Sequence, residues 1–282
     1  MKRILVASDL SARSEQAIER AVLLVRQHDA ELTVLHVVDE DLPADIANRS
    51  VEDAKQVLGR TLSAIGNTSG ISVHIQTVIG QHYRTIIEQA EQQSVDLVVT
   101  GRHREDLILD LFRGSTGERI LRAGTCPTLV VKSRPLQSYA SVVVGVDFSP
   151  PCRKAVEAAV ALAPDAEHHL VHAFDIPFRG TLIDDRAIAD LTKKHQQQFQ
   201  DMVDAEAREF LASMPKPIAG NEVRAREGLP ADVIIDAAAE FGSDLVVVGT
   251  HGRSGLGSAL LGSVAESVID RAPCDVLAVR GW

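Results

Sequence analysis

The segment Gly249-Thr250-His251-Gly252, followed nine residues later by Gly262-Ser263, has residue types and spacing suited to binding a phosphate. It leaves an apolar run, Leu245-Val246-Val247-Val248, and ends where a helix is expected to open at Ser263-Val264-Ala265-Glu266. Glycines let the main chain approach an anion closely, and the first N–H groups of a helix have no partner inside it. Arg253 adds one positive charge, and the stretch from Ser254 to Leu261 is small and uncharged, as a loop wrapping phosphates should be. Ser263 and Glu266 stand at capping-box spacing. The same pattern also describes a capped helix after a loop with no ligand, and the residues alone leave both readings open. Asp147 follows a second apolar run, Val142-Val143-Val144. It could contact a ribose hydroxyl, an adenine edge or a phosphate-held metal, or it could cap the next helix. His251 in the loop reads more simply as a solvated side chain. Leu261 precedes Gly262-Ser263 and no Lys follows, so the Walker lysine is missing. With no convincing general base nearby, efficient hydrolysis is not expected and no catalytic residue is assigned.

An altered copy occurs earlier, as Gly101-Arg102-His103-Arg104 with Gly114-Ser115. Ile4 to Ser11 matches Val142 to Ser149, Val95 to Val99 matches Ser243 to Val247, and Cys126 matches Cys274. The chain is therefore a duplication. The offset between copies grows by ten residues, and the extra length falls within Phe174 to Lys194. The halves are expected to be domains at 1–134 and 139–282, joined by a short link containing Pro135. In the first half Arg104 stands where Gly252 stands in the second, and Glu105, Asp106 and Asp110 follow, which repel phosphate. Asp9, Gly101, Gly114 and Ser115 are weaker candidates there. This half is expected to be structural or to bind another ligand. The opposing reading is that Arg102, Arg104 and Arg113 hold an anion by charge.

The elements needed to position these residues follow from periodicity. Each half alternates short apolar runs with helical patterns such as Ala17, Ile18, Ala21, Val22 and Val25. That predicts a parallel sheet covered on both faces, with right-handed crossovers. Ligands bind such sheets at the carboxyl ends of strands where the strand order reverses. Asp147 and Gly249 would face one crevice if their strands are neighbours. Ser149-Pro150 is a good start for the helix after Asp147. The net charge of −10 argues against a duplex nucleic-acid surface, and no apolar run is long enough to cross a bilayer. Cys126, Cys152 and Cys274 form no close pair, no His or Cys set has metal-site spacing, and a reducing cytoplasm is the default expectation.

With that strand–helix order, Gly249-x2-Gly252-x9-Gly262-Ser263 and Asp147 resemble the nucleotide-binding signature of the universal stress protein family, over nearly the whole chain as two tandem copies. The resemblance implies an α/β fold of two tandem doubly wound five-stranded parallel sheets, strand order 3-2-1-4-5, of the adenine nucleotide alpha hydrolase-like type. It implies that the halves pack as an internal pseudo-dimer, partly through Thr128 to Lys132 and Val276 to Arg280; a further homodimer stays open. It also implies ATP, with Mg2+ as its companion ion. Asp147 would lie near the adenosine, the backbone at Ala173 at the adenine, and Val248 and Gly249 on the ribose side. Gly252, Gly262, Ser263 and Val264 would hold the phosphates, with Arg253 beside them. The leading expectation is a cytoplasmic, ATP-binding stress-response protein acting on protein partners not specified by the sequence. One alternative is a slow metal-dependent ATPase or phosphotransferase using Asp147. Another is a nucleotide-free protein whose segment Phe174 to Ser213 covers an apolar cavity.

Overall fold

Ile4-Leu5-Val6 and Val142-Val143-Val144 are continuous apolar runs, the pattern of strands covered on both faces. All six side chains are at most 1% exposed. The computed structural model describes residues 1–66, 70–102, 115–174, 201–214, 218, 222–250 and 261–281. The first half runs β1 (Arg3–Ala7), α1 (Ala12–His28), β2 (Glu31–Asp39), α2 (Ala44–Ile65), β3 (Ser72–Gly80), α3 (His82–Gln92), β4 (Leu97–Gly101), α4 (Thr116–Ala123) and β5 (Thr128–Val131). The second runs β6 (Ser141–Gly145), α5 (Pro150–Leu162), β7 (Glu167–Phe174), a helical segment α6 over 201–212, β8 (Val223–Glu227), α7 (Pro230–Glu240), β9 (Leu245–Gly249), α8 (Ser263–Arg271) and β10 (Asp275–Val279).

The strands form one ten-stranded sheet in the order β3-β2-β1-β4-β5-β10-β9-β6-β7-β8. Each half thus has the expected order 3-2-1-4-5, but the two expected sheets are fused into one. The join is an antiparallel pairing of β5 with β10; every other neighbouring pair is parallel. Leu129 faces Leu277, and Val130↔Val276 and Thr128↔Ala278 are related across that pair. A pseudo-twofold axis therefore passes through Leu129 and Leu277.

Period-two alternation sends side chains to opposite faces. Val6, Val34, Val99, Val144 and Val247 join α1, α2, α5 and α6 in one core that runs across both halves. On the other face, Leu5, Leu35 and Val98 pack under α3 and α4, and Val143, Val246 and Val276 under α7 and α8.

The join carries reciprocal contacts. Lys132 Nζ donates to the carbonyl of Ala272 at 2.7 Å, and Arg280 Nη1 donates to the carbonyl of Gly124 at 3.1 Å. Each half's cation thereby satisfies a carbonyl at the end of the other half's helix, α8 or α4, where cations are favoured. Asp275 is fully buried beside the axis. It accepts from Tyr139 Oη at 2.7 Å and the Lys132 N–H at 2.9 Å, and lies 3.2 Å from Arg20 Nε. Arg20 also donates to the Gln137 carbonyl at 2.8 Å and stacks over Tyr139 at 4.0 Å. The link between halves is thus held down, as its short length predicts.

Candidate functional site

In the second half the strand order reverses between β6 and β9, which are hydrogen-bonded neighbours. Asp147 and Gly249 therefore do lie at adjoining carboxyl ends, at the place where such sheets bind ligands. Ala173 stands near the end of β7, paired with Arg226, and Val248, buried, is next to last in β9. Gly252 and Arg253 lie outside the described residues, as do His251 and the stretch to Leu260.

Asp147 does not cap α5 directly. Its Oδ1 accepts from the N–H of Ser149 at 3.0 Å and from Ser149 Oγ at 2.6 Å. Ser149 is the cap, its hydroxyl accepting from the N–H of Cys152 at 3.4 Å, with Pro in the first turn as the sequence suggests. The turn that makes this possible puts Phe148 at φ 59°. A bulky residue there is a backbone outlier costing on the order of 1–3 kcal/mol, and such strain gathers at functional sites. Packing holds it: Phe148 stacks on His172 with ring centroids 4.4 Å apart and meets Phe210 of α6 edge-on at 5.6 Å. His172 Nδ1 lies 2.8 Å from the Val146 carbonyl, which fixes the ring.

At the other wall, Ser263 was expected to cap α8, and the structure corrects this. Gly262 is the N-cap and no side chain caps the helix. The reason is local. The Gly262 N–H donates to the Thr250 carbonyl at 2.8 Å, and its own carbonyl accepts from the Glu266 N–H at 2.9 Å, so Gly262 takes the cap position and Ser263 is the first helical residue. A Cβ at Gly262 would meet the Thr250 oxygen at 2.9 Å, which is why glycine stands there. Ser263 is exposed, in the first turn, and its hydroxyl has no partner among the described residues. Ser263 and Val264 have amide hydrogens without acceptors inside the helix.

The first half repeats the geometry in detail. Asp9 Oδ1 accepts from the Ser11 N–H at 3.0 Å and from Ser11 Oγ at 2.5 Å, Leu10 sits at φ 64°, and His36 Nδ1 lies 2.8 Å from the Ser8 carbonyl. Burial works to raise the Asp9 pKa, but hydrogen bonds from Ser11 and Ser14 together outweigh it and hold the carboxyl below the usual carboxylate value. Ser115 caps α4, its hydroxyl accepting from the Glu118 N–H at 3.1 Å, so the cap expected here is present. Gly101 ends β4 so close to α1 that a Cβ would meet the Arg13 carbonyl oxygen at 2.7 Å. Gly114 lies outside the described residues, with Arg104, Arg113 and the acidic residues between. A cavity of about 260 Å3 opens at these carboxyl ends.

The strained Leu10 and Phe148 and the paired histidines were missed as site elements. The signal was there: an Asp-x-Ser repeated at the same place in each half, with a histidine in the next strand. Among the described residues no three His, Cys, Asp or Glu side chains converge as metal ligands. Cys152 and Cys274 are pushed up to about 12 by burial, so they are thiols rather than nucleophilic thiolates near neutrality.

A family model for the universal stress protein family matches residues 1–132 and 138–280. The chain belongs to the universal stress protein family. It is 25% identical to Universal stress protein E of Photorhabdus laumondii, covering 99% of this chain and 95% of the relative. It is 27% identical to a universal stress protein of Mycolicibacterium smegmatis, covering 98% and 96%. Among solved structures, a universal stress protein of Archaeoglobus fulgidus superposes with a TM-score of 0.67 at 20% identity, covering 99% of this chain and 96% of the other. That likeness shows the fold. No described helix is long and apolar enough to cross a membrane.

Proposed function

We propose that this universal stress protein binds ATP in its second half and that occupancy biases its conformation or its binding of protein partners. One observation carries the reading. Gly262 is pinned without a side chain against Thr250, and immediately beyond it the Ser263 hydroxyl and the amides of Ser263 and Val264 have no described partner. A phosphate tail supplies the acceptors they need. Facing them across the switch point, Asp147 is oriented by Ser149 where a ribose or adenine edge would lie. Val248, Gly249 and the backbone at Ala173 form the wall between, and Gly252 and Arg253 belong to the loop that would close over the phosphates, with Mg2+ arriving on the nucleotide. The Gly262 amide is already spent, so its part is close approach rather than donation. The reading places this activity in the cytoplasm, within a second domain at 139–282.

Calorimetric titration of the full chain with ATP is expected to give about one site per chain. Gly262→Val, which drives a Cβ into the Thr250 oxygen, and Gly252→Arg, which copies the first half, should each remove that site. Unchanged affinity in both variants would sink the assignment.

A further inference from the structure

We propose that the first half's cavity is a second binding site, selective for a small hydroxylated anion and distinct from the nucleotide site proposed for the second half. The argument starts from what replaces what. At the floor, Ser8 stands where the second half has Val146, Ser14 where it has Cys152, and Thr100 where it has Val248. Two valines and a thiol have become three hydroxyls in the same fold. Ser8 and Thr100 are each 7% exposed, and all three line the cavity.

Two of these hydroxyls are satisfied within the protein. Ser14 Oγ donates to the Ser11 carbonyl at 2.8 Å, and Ser8 Oγ lies 3.0 Å from Ser14 Oγ and accepts from the Leu10 N–H at 3.2 Å. The Thr100 hydroxyl has no partner among the described residues, although its residue is more than nine-tenths buried and lines the cavity. The hydroxyl itself is reachable from the cavity, so a ligand that fills this space and excludes water must supply its hydrogen bond.

The walls define that ligand. His36 Nδ1 faces the Ser8 carbonyl, which can only accept, so Nδ1 carries the hydrogen, and in that neutral tautomer Nε2 is the acceptor. Asp9, held ionised, is a second acceptor. Ligand hydroxyls match both. The cationic side is Arg13 and Arg102, with the first turn of α4 at Thr116 and Gly117. Arg13 makes no side-chain hydrogen bond or ion pair among the described residues. Arg13 thus brings a positive charge to the cavity wall inside a chain of net charge −10. The volume of about 260 Å3 lies below the ~300–1,000 Å3 of clefts that take drug-sized ligands. The occupant is therefore compact: several hydroxyls with one phosphate or one carboxylate.

The test uses the full chain, titrated by calorimetry and ligand-observed NMR with ribose 5-phosphate, gluconate, ribose, inorganic phosphate and ATP. Ribose 5-phosphate or gluconate should bind at one site per chain and stay bound when ATP is added; which of the two binds identifies the anionic group. Thr100→Val, copying the second half, should weaken that binding about tenfold, while Thr100→Ser retains it. Arg13→Gln should weaken the anion about tenfold and remove its advantage over ribose. Circular dichroism confirms folding of each variant. The proposal is overturned if neither hydroxylated anion binds at millimolar concentration, if Thr100→Val and Arg13→Gln leave binding unchanged, or if ATP displaces the ligand. Loss of the ATP isotherm alone would count only against the second-half reading.

Discussion

Replacing Asp275 by alanine should cost more than any other single change at the join between the halves. The carboxylate is fully buried and meets Tyr139 Oη at 2.7 Å, the Lys132 N–H at 2.9 Å and Arg20 Nε at 3.2 Å. Removing one partner of a buried ion pair costs about 3–5 kcal/mol, because the other charge is left without compensation. Two features favour the lower end. The Arg20 Nε contact is ionic rather than a well-aligned hydrogen bond, and Arg20 keeps both the Gln137 carbonyl and its stacking on Tyr139. The expected loss is therefore about 3 kcal/mol, or roughly 6–12 °C in Tm for a chain of this size. Urea unfolding and calorimetric melting of Asp275→Ala, Arg20→Met and the double variant would measure it. The double variant should lose at least about 1 kcal/mol less than the sum of the singles, since the two side chains touch. A loss below about 1 kcal/mol for Asp275→Ala, or strict additivity, would refute the claim that this pair braces the halves.

Three further outcomes follow from particular contacts. Gly101→Ala should destabilise by about 1–3 kcal/mol, because its Cβ meets the fixed Arg13 carbonyl oxygen; Gly145→Ala meets only the end of the Ile234 side chain and should cost less than about 1 kcal/mol, a contrast that denaturant unfolding would show. Burial, helped by the nearby Arg102 charge, pushes Lys132 down to about 8 from 10.5, so the unfolded chain binds its proton more tightly. Relative to Lys132→Met, the wild-type chain should therefore gain stability as pH rises from about 8 to 10.5 and show no further change below that window, measured by urea midpoints across pH. Ser149→Ala should cost about 1 kcal/mol as a lost cap and also weaken ATP binding by freeing Asp147, seen together by melting and calorimetry.

The strands were legible because burial on both faces demands unbroken apolar runs, as at Val142-Val143-Val144, and few residues besides Val, Ile and Leu supply them. The helix after Asp147 was legible from Ser149 and Pro150, whose cap chemistry is local. The start of α8 at Ser263 was legible, but its cap was not, because the deciding bond, from the Gly262 N–H to the Thr250 carbonyl, joins residues that no local cap pattern connects. Fusion of the two sheets into one was only partly anticipated, since the pairing of last strands came from resemblance, whereas register depends on contacts between halves. The Asp275–Arg20–Tyr139 cluster joins residues up to 255 positions apart, and no periodicity connects them. The positive φ at Leu10 and Phe148 breaks the preference of those residue types, so propensity argues against what tertiary packing enforces.

The antiparallel seam between β5 and β10 has a geometric consequence for the two candidate sites. Strands on its two sides point in opposite directions, so the carboxyl-terminal rims of the halves lie at opposite ends of the slab. Two ligands held at those rims would be presented back to back. A partner large enough to cover one of them would have to reach around the molecule to touch the other.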